Sequence, residues 1–342
     1  MKKNILIALA VLVAIGGPAG AVTFSKVGTA GAQFLKIGAG ARAEGMGEAF
    51  TAVVDDATAM YWNPAGLAAA KKQEITFTHN QWLGEINHEF IGYCLPMGAN
   101  GTLGLNLTVL NVGEMPVTTV ELSGDPNGEF FTCVDWAFAI GYGRNLTDKV
   151  AFGATAKVIQ QRIWDMKASA FAMDLGVSAK TGFKSLRIAA TLLNFGTDIQ
   201  YSGGQLVEEA DYHDYGTGPQ QAQTIELATS SSPLPLSYRM GAVYDFIDNP
   251  THKLTAAFDY VHPNDGSEKQ NMGMEYGFNK MLFVRAGMRI DIDARDDNNA
   301  YSPTVGLGVN YGFGMLKTKI DYAYADYGPL STVHRIALAL AF

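Results

Sequence analysis

Cysteine, basic charge and long apolar runs are all scarce in this chain of 342 residues, and each shortage excludes a class of protein. The two cysteines, Cys94 and Cys133, are too few for a disulfide framework. Acidic residues outnumber lysine and arginine by 33 to 25, so the chain lacks the basic excess that phosphate contacts need, and we expect no nucleic-acid partner. Only one apolar run is long, and at about eleven residues it is too short to cross a bilayer as a helix.

That apolar run belongs to an N-terminal segment typical of a secretory signal peptide. The segment combines a basic start at 2–3, the apolar run 5–15, a Gly-Gly-Pro break at 16–18 and an Ala-Gly-Ala sequence at 19–21. We expect residues 1–21 to be a signal peptide, so that the mature chain lies outside the cytoplasm. A retained N-terminal anchor is the alternative, and the small residues before position 22 favour cleavage over it.

From residue 73 onward, apolar residues alternate with small or polar ones in segments of about ten to fourteen residues, as they do in β-strands. In segment 130–143, for example, Trp136, Phe138 and Ile140 share one face, and Asp135 lies on the other. The fourteen predicted strands are 73–81, 85–96, 101–112, 130–143, 149–163, 166–180, 184–198, 234–247, 252–262, 268–278, 281–292, 301–313, 315–327 and 330–342.

The composition of the two faces separates a membrane barrel from a soluble β-sandwich, which also alternates. The polar face of a sandwich is usually rich in Lys, Glu and Thr, whereas here it carries mostly Gly, Ala and single charges. Aromatic residues near strand ends, such as Tyr142 and Phe246, suit the girdles of an outer-membrane barrel. Long loops at 113–129, 199–233 and 293–300 alternate with short turns. We therefore predict an all-β fold, a 14-stranded antiparallel transmembrane β-barrel facing the lipid of the cell outer membrane.

Charged side chains fall on the face opposite to the lipid, and we expect them to line the lumen. Acids and bases are nearly balanced there, which suits either an ion-conducting pore or an interior that holds a plug through ion pairs. The predicted lumen-facing charges are Asp135, Lys157, Asp174, Arg187, Arg239, Asp245, Asp259, Glu275, Arg285, Arg289, Lys317, Lys319, Asp321 and Arg335.

The Gly- and Ala-rich segment before the strands has a suitable size for such a plug. Fourteen strands enclose a lumen wider than that of an eight-stranded barrel, and a segment of about fifty residues is enough to fill it. We therefore divide the chain into a signal peptide 1–21, an N-terminal plug or hatch 22–72 and a barrel 73–342. The lumen charges are expected to pair with Arg42, Glu44, Asp55 and Asp56 of the plug. The longest loop, 199–233, is either a mobile loop or a lid that binds a partner.

Three other patterns carry weaker interpretations. The run Gly38–Ala43 matches a loose dinucleotide fingerprint, but the chain after it lacks the alternating helices of a nucleotide-binding fold. The acidic stretch 291–297 either binds a divalent cation or is a solvated loop, and the missing EF-hand register favours the loop. No histidine spacing, including that of His213, indicates a metal site, and no nucleophile motif is present. We expect no cofactor, no metal and no enzymatic activity.

The plug carries a cluster of short motifs: Phe-Leu-x-Ile at 34–37, Ala-Arg-x-x-x-Met-Gly at 41–47, Asp-Asp at 55–56 and Trp-Asn-Pro-Ala-Gly at 62–66. Together they resemble the N-terminal signature of the PorV/PorQ family of outer-membrane proteins, which is related to the FadL-type transporter barrels. The Asn-Pro-Ala-Gly piece is shared with FadL-type proteins. The residues of this plug motif are Phe34, Leu35, Ile37, Arg42, Met46, Gly47, Asp55, Asp56, Trp62, Asn63, Pro64 and Gly66.

The resemblance implies two functions. PorV-like members act with the type IX secretion machinery and pass exported proteins to surface attachment, whereas FadL-like members pass hydrophobic small molecules through a hatch and a lateral opening. We expect a protein-interaction component of export or surface attachment, with secretion components and exported proteins as partners. A channel for hydrophobic small molecules is the alternative. A charged lumen favours the first function, and an apolar pocket beside the plug favours the second.

The chain stops on an aromatic residue, Phe342, at the end of the last predicted strand. A final alternating strand that closes on Phe resembles the signal by which the barrel-assembly machinery recognises outer-membrane barrels. An ordinary edge strand is the alternative, and it gives no reason for the terminal aromatic residue. We therefore expect Phe342 to be an assembly signal.

Overall fold

The structure, a computed structural model, describes residues 27–118, 129–211, 222–292 and 301–342. The predicted signal peptide, His213 and the acidic positions 293–297 lie outside the described residues. The described strands, in chain order, are β1 Glu74–Gln81, β2 Asn87–Pro96, β3 Thr102–Pro116, β4 Phe130–Asn145, β5 Val150–Ile163, β6 Met166–Lys180, β7 Arg187–Gly196, β8 Tyr201–Ser202, β9 Val207–Asp211, β10 Ala222–Glu226, β11 Ser237–Asp248, β12 His252–Pro263, β13 Lys269–Phe278, β14 Leu282–Asp291, β15 Tyr301–Phe313, β16 Leu316–Asp326 and β17 Thr332–Ala341.

Fourteen of these strands, all but β8, β9 and β10, form one closed antiparallel barrel. Barrel strands pair with their neighbours in chain order, β7 pairs with β11, and β1 pairs with β17 to close the ring. The closing pair places Glu74 opposite Ala341 and Gln81 opposite His334. The predicted 14-stranded antiparallel barrel with an N-terminal plug is therefore confirmed.

Each of the fourteen predicted segments contains one barrel strand, and the boundaries differ by only a few residues. The largest difference is in β3, which continues to Pro116 instead of ending at 112. A bulge between Asn111 and Glu114, with Gly113 at a φ of 86°, carries the strand through a region that looks like the start of a loop. Glycine adopts this positive φ without steric cost, so pairing with β4 continues beyond it.

The segment predicted as the longest loop, 199–233, contains secondary structure that the sequence pattern does not predict. Strands β9 and β10 form a separate two-stranded hairpin, with Val207 opposite Glu226 and Asp211 opposite Ala222. Alternation is difficult to recognise there because Gly, Gln, Ser and Thr interrupt it. The long connection between β7 and β11 therefore includes a hairpin, and its role as a mobile loop or a lid stays a prediction.

Helices in the described part of the chain are short, and none has the length and apolar character needed to cross a membrane. Four of the eight described helices belong to the plug. They are the α-helices Ala41–Gly45 and Ala59–Trp62 and the 3₁₀-helices Gln33–Lys36, Pro64–Ala69, Leu83–Glu85, Gly98–Asn100, Gly204–Leu206 and Gly328–Leu330.

Alternation gives the barrel wall an apolar outer face and a small or polar inner face. In β1, for example, Ile75 and Phe77 are exposed, whereas Thr76 and Thr78 between them are buried. The same exposure of large apolar side chains recurs around the ring, as at Ile140 and Ile336. A continuous apolar outer face of this kind suits a lipid surrounding.

The plug, residues 27–73, runs through the lumen from one end of the barrel to the other. We call the end that contains the turns 146–149 and 279–281 the short-turn end, and the opposite end the long-loop end. At the long-loop end, the Gly31 amide donates to the Pro233 carbonyl over 2.9 Å. At the short-turn end, Lys72 Nζ donates to the Met315 carbonyl over 2.8 Å. The core of the protein therefore lies between the plug and the inner face of the wall.

Glycines on the inner face allow the plug backbone to approach the wall. A Cβ atom at Gly153 of β5 would overlap the carbonyl group of Pro64, and one at Gly287 of β14 would overlap the backbone of Met46 and Gly47. Close backbone approach of this kind requires glycine in a strand. The many small residues on the inner face are therefore needed for the plug to fit.

Candidate functional site

The candidate site is the contact between plug and wall, and its centre is an aromatic cluster on the plug. Trp62 is fully buried and lies edge-on to Phe50 and Tyr61, with ring centres 5.9 and 4.8 Å away. The Trp62 Nε1–H donates to the Ala39 carbonyl over 2.7 Å. The Tyr61 hydroxyl donates to the Leu35 carbonyl over 3.2 Å. Because both polar groups are satisfied, the rings give the plug an apolar core of its own.

Asn63 fastens the plug to the wall of β6. Its side chain accepts a hydrogen bond from the Ala65 amide over 3.0 Å and so caps the 3₁₀-helix that Pro64 begins. Its amide group donates to the Thr51 carbonyl over 3.0 Å and to the Val177 carbonyl over 3.4 Å. One buried side chain therefore joins two parts of the plug to a barrel strand.

Gly66 and Gly47, both in the predicted motif, hold positions that a larger residue cannot take. A Cβ atom at Gly66 would contact the Val54 carbonyl at 2.8 Å. Gly47 has a φ of 63°, the left-handed region that favours glycine, and packs beside the fully buried Met46. These residues set the folded path of the plug.

Arg42 begins a chain of ion pairs at the short-turn side of the plug. Its Nε lies 2.9 Å from Glu275 Oε2, and its Nη1 lies 2.8 Å from Asp55 Oδ1 and 3.8 Å from Asp56 Oδ2. Glu275 also accepts from Arg285 Nε over 2.7 Å. Burial alone would lower the pKa of Arg42, but the carboxylates of Glu275 and Asp55 outweigh it and raise that pKa well above its ordinary value.

Glu44 forms a second, deeper cluster with two arginines of the wall. Its Oε1 lies 2.9 Å from Arg289 Nη1, and its Oε2 lies 2.9 Å from Arg335 Nη1. The side chains of Glu44 and Arg335 are completely buried. The Arg289 Nη1 also donates to the Tyr327 hydroxyl over 2.7 Å, at the long-loop end. A buried carboxylate of the plug thus compensates charges from β14 and β17.

Several other lumen charges contact the plug or one another. Asp259 accepts from the amides of Phe50 and Thr51 over 3.0 and 2.8 Å. Arg239 lies over the Trp62 ring, 5.0 Å from its centre. Asp174 lies 2.8 Å from Lys157 Nζ within the wall itself.

The structure places the predicted lumen-facing charges in three groups. Ten are buried against the plug or within the wall, three are partly buried, and Lys317, which lines the cavity at the short-turn end, is exposed. The buried residues are Asp135, Lys157, Asp174, Arg239, Asp259, Glu275, Arg285, Arg289, Asp321 and Arg335, and the partly buried residues are Arg187, Asp245 and Lys319.

Two acidic partners of the plug are missing from the predicted set. Glu74 accepts from Lys319 Nζ over 2.6 Å and from the Ala57 amide over 3.3 Å, and its inward position follows the alternation of β1. Asp265 binds Lys36, with Nζ 3.1 Å from Oδ1. Since Asp265 lies in a loop, no periodic pattern indicates its position.

A cavity of about 580 Å³ opens beneath the plug at the short-turn end. Charges of both signs line it, including Arg42 and Asp56 of the plug and Glu74, Lys317 and Lys319 of the wall. Its chemistry suits water and charged groups rather than an apolar molecule.

An apolar cluster lies at the opposite end of the plug, and we call it the outer apolar cluster. It combines the motif residues Phe34, Leu35 and Ile37 with residues of the wall and of the long loops. The other buried members are Ala32, Ala137, Ile159, Ala168, Ala170, Ala172, Ile199 and Leu234, and the partly buried members are Trp82, Leu110 and Tyr201.

Phe342 lies where the barrel closes. Its amide donates to the Gln73 carbonyl over 2.9 Å, and its side chain is half-exposed in line with the outer residues of β17.

Cys94 and Cys133 are both free, and the described residues contain no group of three or more side chains placed to bind a metal.

A model of the uncharacterised protein family UPF0164 matches residues 11–121, which include the plug and the first three strands. No curated protein matches the chain. Solved structures match over almost the whole barrel. The CymD monoaromatic hydrocarbon channel has 12% identity and a TM-score of 0.57 and aligns over 89% of this chain and 96% of its own.

Two further solved structures show the same likeness. The Pseudomonas putida toluene transporter TodX has 12% identity and a TM-score of 0.57, with 89% of this chain and 97% of its own aligned. A Pseudomonas aeruginosa FadL homologue has 11% identity and a TM-score of 0.53, with 88% and 97% aligned. At such identities the likeness shows a shared fold, that of the outer-membrane transporter barrels.

Proposed function

We propose that this chain is a channel of the outer membrane for hydrophobic small molecules, with the N-terminal plug as its gate. The observation that carries the proposal is the plug itself, which occupies the lumen from end to end in a barrel shared with a hydrocarbon channel and a toluene transporter. A barrel whose only task is anchoring has no need of a lumen wide enough to enclose a folded segment.

The outer apolar cluster supports a hydrophobic substrate. Trp82, Leu110 and Tyr201 are only partly buried, so apolar surface is accessible at the long-loop end, packed against the cluster that contains Phe34 of the plug. Each Å² of apolar surface that leaves water contributes roughly 25 cal/mol, so a hydrocarbon would partition onto this surface. Movement of Phe34 and its neighbours would then admit the solute to the lumen.

The contacts of the plug are uneven, which suits a gate that moves on one side. Its ion pairs with the wall, among the described residues, go to β13, β14 and β17 and to Asp265 in the loop before β13. Toward β3–β6 it is held by hydrogen bonds and by packing against glycines. We infer that the plug stays bound to β13–β17 when the channel opens. Its contacts with β3–β6 are the ones that break.

Uptake of radiolabelled toluene by cells that express the protein tests this function. Phe34→Ser, at a buried position of the outer apolar cluster, should strongly reduce uptake. Val27→Ser is the matched control because Val27 is exposed at the start of the described plug, and it should leave uptake unchanged. Wild-type uptake no faster than that of cells without the protein would refute the hydrophobic channel.

A second candidate is the protein-interaction component that the PorV/PorQ resemblance implies. The observation that favours it is the charged character of the 580 Å³ cavity, which offers ion pairs rather than an apolar pocket. Purification in mild detergent followed by mass spectrometry distinguishes the two. Secretion components recovered in stoichiometric amounts would support this candidate, and bound hydrocarbon or lipid in the lumen would support the channel. Neither candidate involves catalysis.

A further inference from the structure

The wall formed by β17, β1 and β2 contains a row of buried polar side chains that have few or no protein partners. Asn80 stands opposite Arg335 on one side and opposite His88 on the other. The three side chains are at most 1% exposed. Both polar atoms of Asn80, both ring nitrogens of His88, and Nε and Nη2 of Arg335 lack any hydrogen-bond partner among the described residues.

This row continues along β1 toward the charged cavity at the short-turn end. Thr78 also faces inward, is 1% exposed and has an unpartnered hydroxyl. Two residues before it, Thr76 and then Glu74 line the cavity. Residues i and i+2 of a strand are about 6.6 Å apart on the same face, so Glu74, Thr76, Thr78 and Asn80 form an unbroken polar line.

Some inward polar groups on other strands do find protein partners. The Thr191 hydroxyl of β7, which is equally buried, donates to the Leu175 carbonyl over 2.9 Å. The Thr155 hydroxyl of β5 donates to Asp174 Oδ2 over 2.7 Å. Unpartnered buried atoms also occur elsewhere on the inner face, as at Asn106, Ser237 and Thr304. The wall of β17, β1 and β2 differs because Asn80 and His88 stand opposite each other and both lack a partner among the described residues at every polar side-chain atom.

Buried polar atoms in proteins are almost always hydrogen-bonded, and where protein groups are missing the partner is internal water. Three features favour water along this wall. The groups include both donors and acceptors, they are contiguous on neighbouring strands, and one end of the line joins a polar cavity.

We propose that the plug and the wall of β17, β1 and β2 enclose a hydrated polar path for water and small inorganic ions. We call Thr78, Asn80, His88 and Arg335 the polar seam. It extends the short-turn cavity upward to the Glu44–Arg335 pair, which closes it. This path is separate from the hydrophobic route proposed above and does not depend on it.

The Glu44–Arg335 pair lies where it can close the polar path. Glu44 is anchored between Arg335 and Arg289, and Arg289 contacts the Tyr327 hydroxyl at the long-loop end. Tyr327 lies edge-on to Trp82, with ring centres 5.0 Å apart. At one end the polar seam therefore joins the short-turn cavity. At the other end it is covered by the Glu44–Arg335 pair and by the rings of Tyr327 and Trp82.

Conductance of purified full-length protein in planar bilayers in potassium chloride tests the path. Glu44→Gln should raise the ion conductance several-fold because it weakens the closure. Adding Asn80→Leu should return the conductance to the wild-type level because leucine fills the seam with apolar atoms. Thr78→Val should also lower the raised conductance, whereas Thr191→Val, the matched control in β7, should not. Each variant is first checked for a heat-modifiable band.

Hydration of the seam is measured independently by radiolytic footprinting with mass spectrometry, in which bound water generates hydroxyl radicals at buried side chains. His88 should be oxidised in the folded wild-type protein although it is 1% exposed. Met60, which is fully buried in the apolar core of the plug and intrinsically more reactive, should be protected. Protection of both residues, or a Glu44→Gln conductance that Asn80→Leu leaves unchanged, would overturn the proposal.

Discussion

Glu44 Oε2 of the plug lies 2.9 Å from Arg335 Nη1 of the last strand, and both side chains are completely buried. The pair joins a segment near the start of the chain to the strand that closes the barrel. Arg289 adds a second positive charge to the same carboxylate, with its Nη1 2.9 Å from Glu44 Oε1. The Glu44–Arg335 ion pair therefore stabilises both the closed barrel and the bound position of the plug.

Removal of the carboxylate should destabilise the folded barrel. Glu44→Gln keeps the size of the side chain but leaves Arg335 buried without its counter-charge, which costs about 3–5 kcal/mol. Arg289 then retains only the more distant carboxylate of Glu48, 3.8 Å away. The temperature at which the band shifts to unfolded mobility on a gel should fall. The double variant Glu44→Gln/Arg335→Met should recover part of the loss, and a double variant no more stable than Glu44→Gln would contradict the pairing.

A methyl group on the inner wall should displace the plug. Gly153→Ala places a carbon where the Pro64 carbonyl lies, so the plug has to shift, at a cost of about 1–3 kcal/mol. Proteolysis of the plug in detergent should become faster. Gly312→Ala is the matched control because no atom lies within 4 Å of the new carbon, and it should behave like the wild type. Equal proteolysis of the two variants would refute the close fit.

Asn63→Ala should detach the plug from β6. The substitution removes the bonds to the Thr51 and Val177 carbonyls and the cap on the Ala65 amide, and each buried group left unpaired costs about 1–3 kcal/mol. Conductance in planar bilayers should rise as the plug loosens. Asn100→Ala, in an exposed turn, should not change it. Unchanged conductance in Asn63→Ala would show that this motif does not control the plug.

Low pH should weaken the ion pair between Asp55 and Arg42. Partial desolvation raises the pKa of the half-exposed Asp55, but the charges of Arg42 and Lys319 outweigh this effect and hold that pKa below the ordinary value of 3.8. A lowered pKa contributes stability that is complete above the unfolded-state pKa and is lost as pH falls through the folded-state pKa. Thermal midpoints measured between pH 6 and pH 2 should therefore fall less steeply for Asp55→Asn than for the wild type. If the thermal midpoints of the two proteins fell equally with pH, Asp55 would make no such contribution to stability.

Deletion of Phe342 should reduce assembly into the outer membrane. The deletion removes the amide that bonds to the Gln73 carbonyl and the half-exposed ring that ends β17. The fraction of protein recovered as heat-modifiable barrel should decrease, whereas Phe342→Tyr, which retains the ring and the amide, should assemble normally. Normal assembly of the deletion would argue against a terminal signal.

The strand pattern was predictable because alternation is a local property. Each side chain in a strand points opposite to its neighbours, so the positions of Ile75 and Thr76 on different faces follow from their order alone. The inward direction of Asp174 and Arg289 follows in the same way. The β9–β10 hairpin was not predictable, since its two five-residue strands are mostly polar and show little alternation.

The partners of the inward charges were not predictable either. Arg42 and Glu275 are 233 positions apart, and no periodicity indicates that they meet. Asp265 lies in a loop, so its contact with Lys36 depends on the path of the plug. Such pairings depend on the radius of the closed barrel and on the depth at which the plug sits.

The sequence by itself therefore determined the all-β class, the number of barrel strands, the face of each side chain and the existence of a plug-sized segment before them. These depend on alternation, turn residues and chain length, which act over a few residues. The tertiary structure alone decided that Glu44 meets Arg335, that Asn63 reaches Val177, and that the unpartnered side chains of Asn80 and His88 stand opposite each other. Those contacts exist only once fourteen strands have closed around the plug.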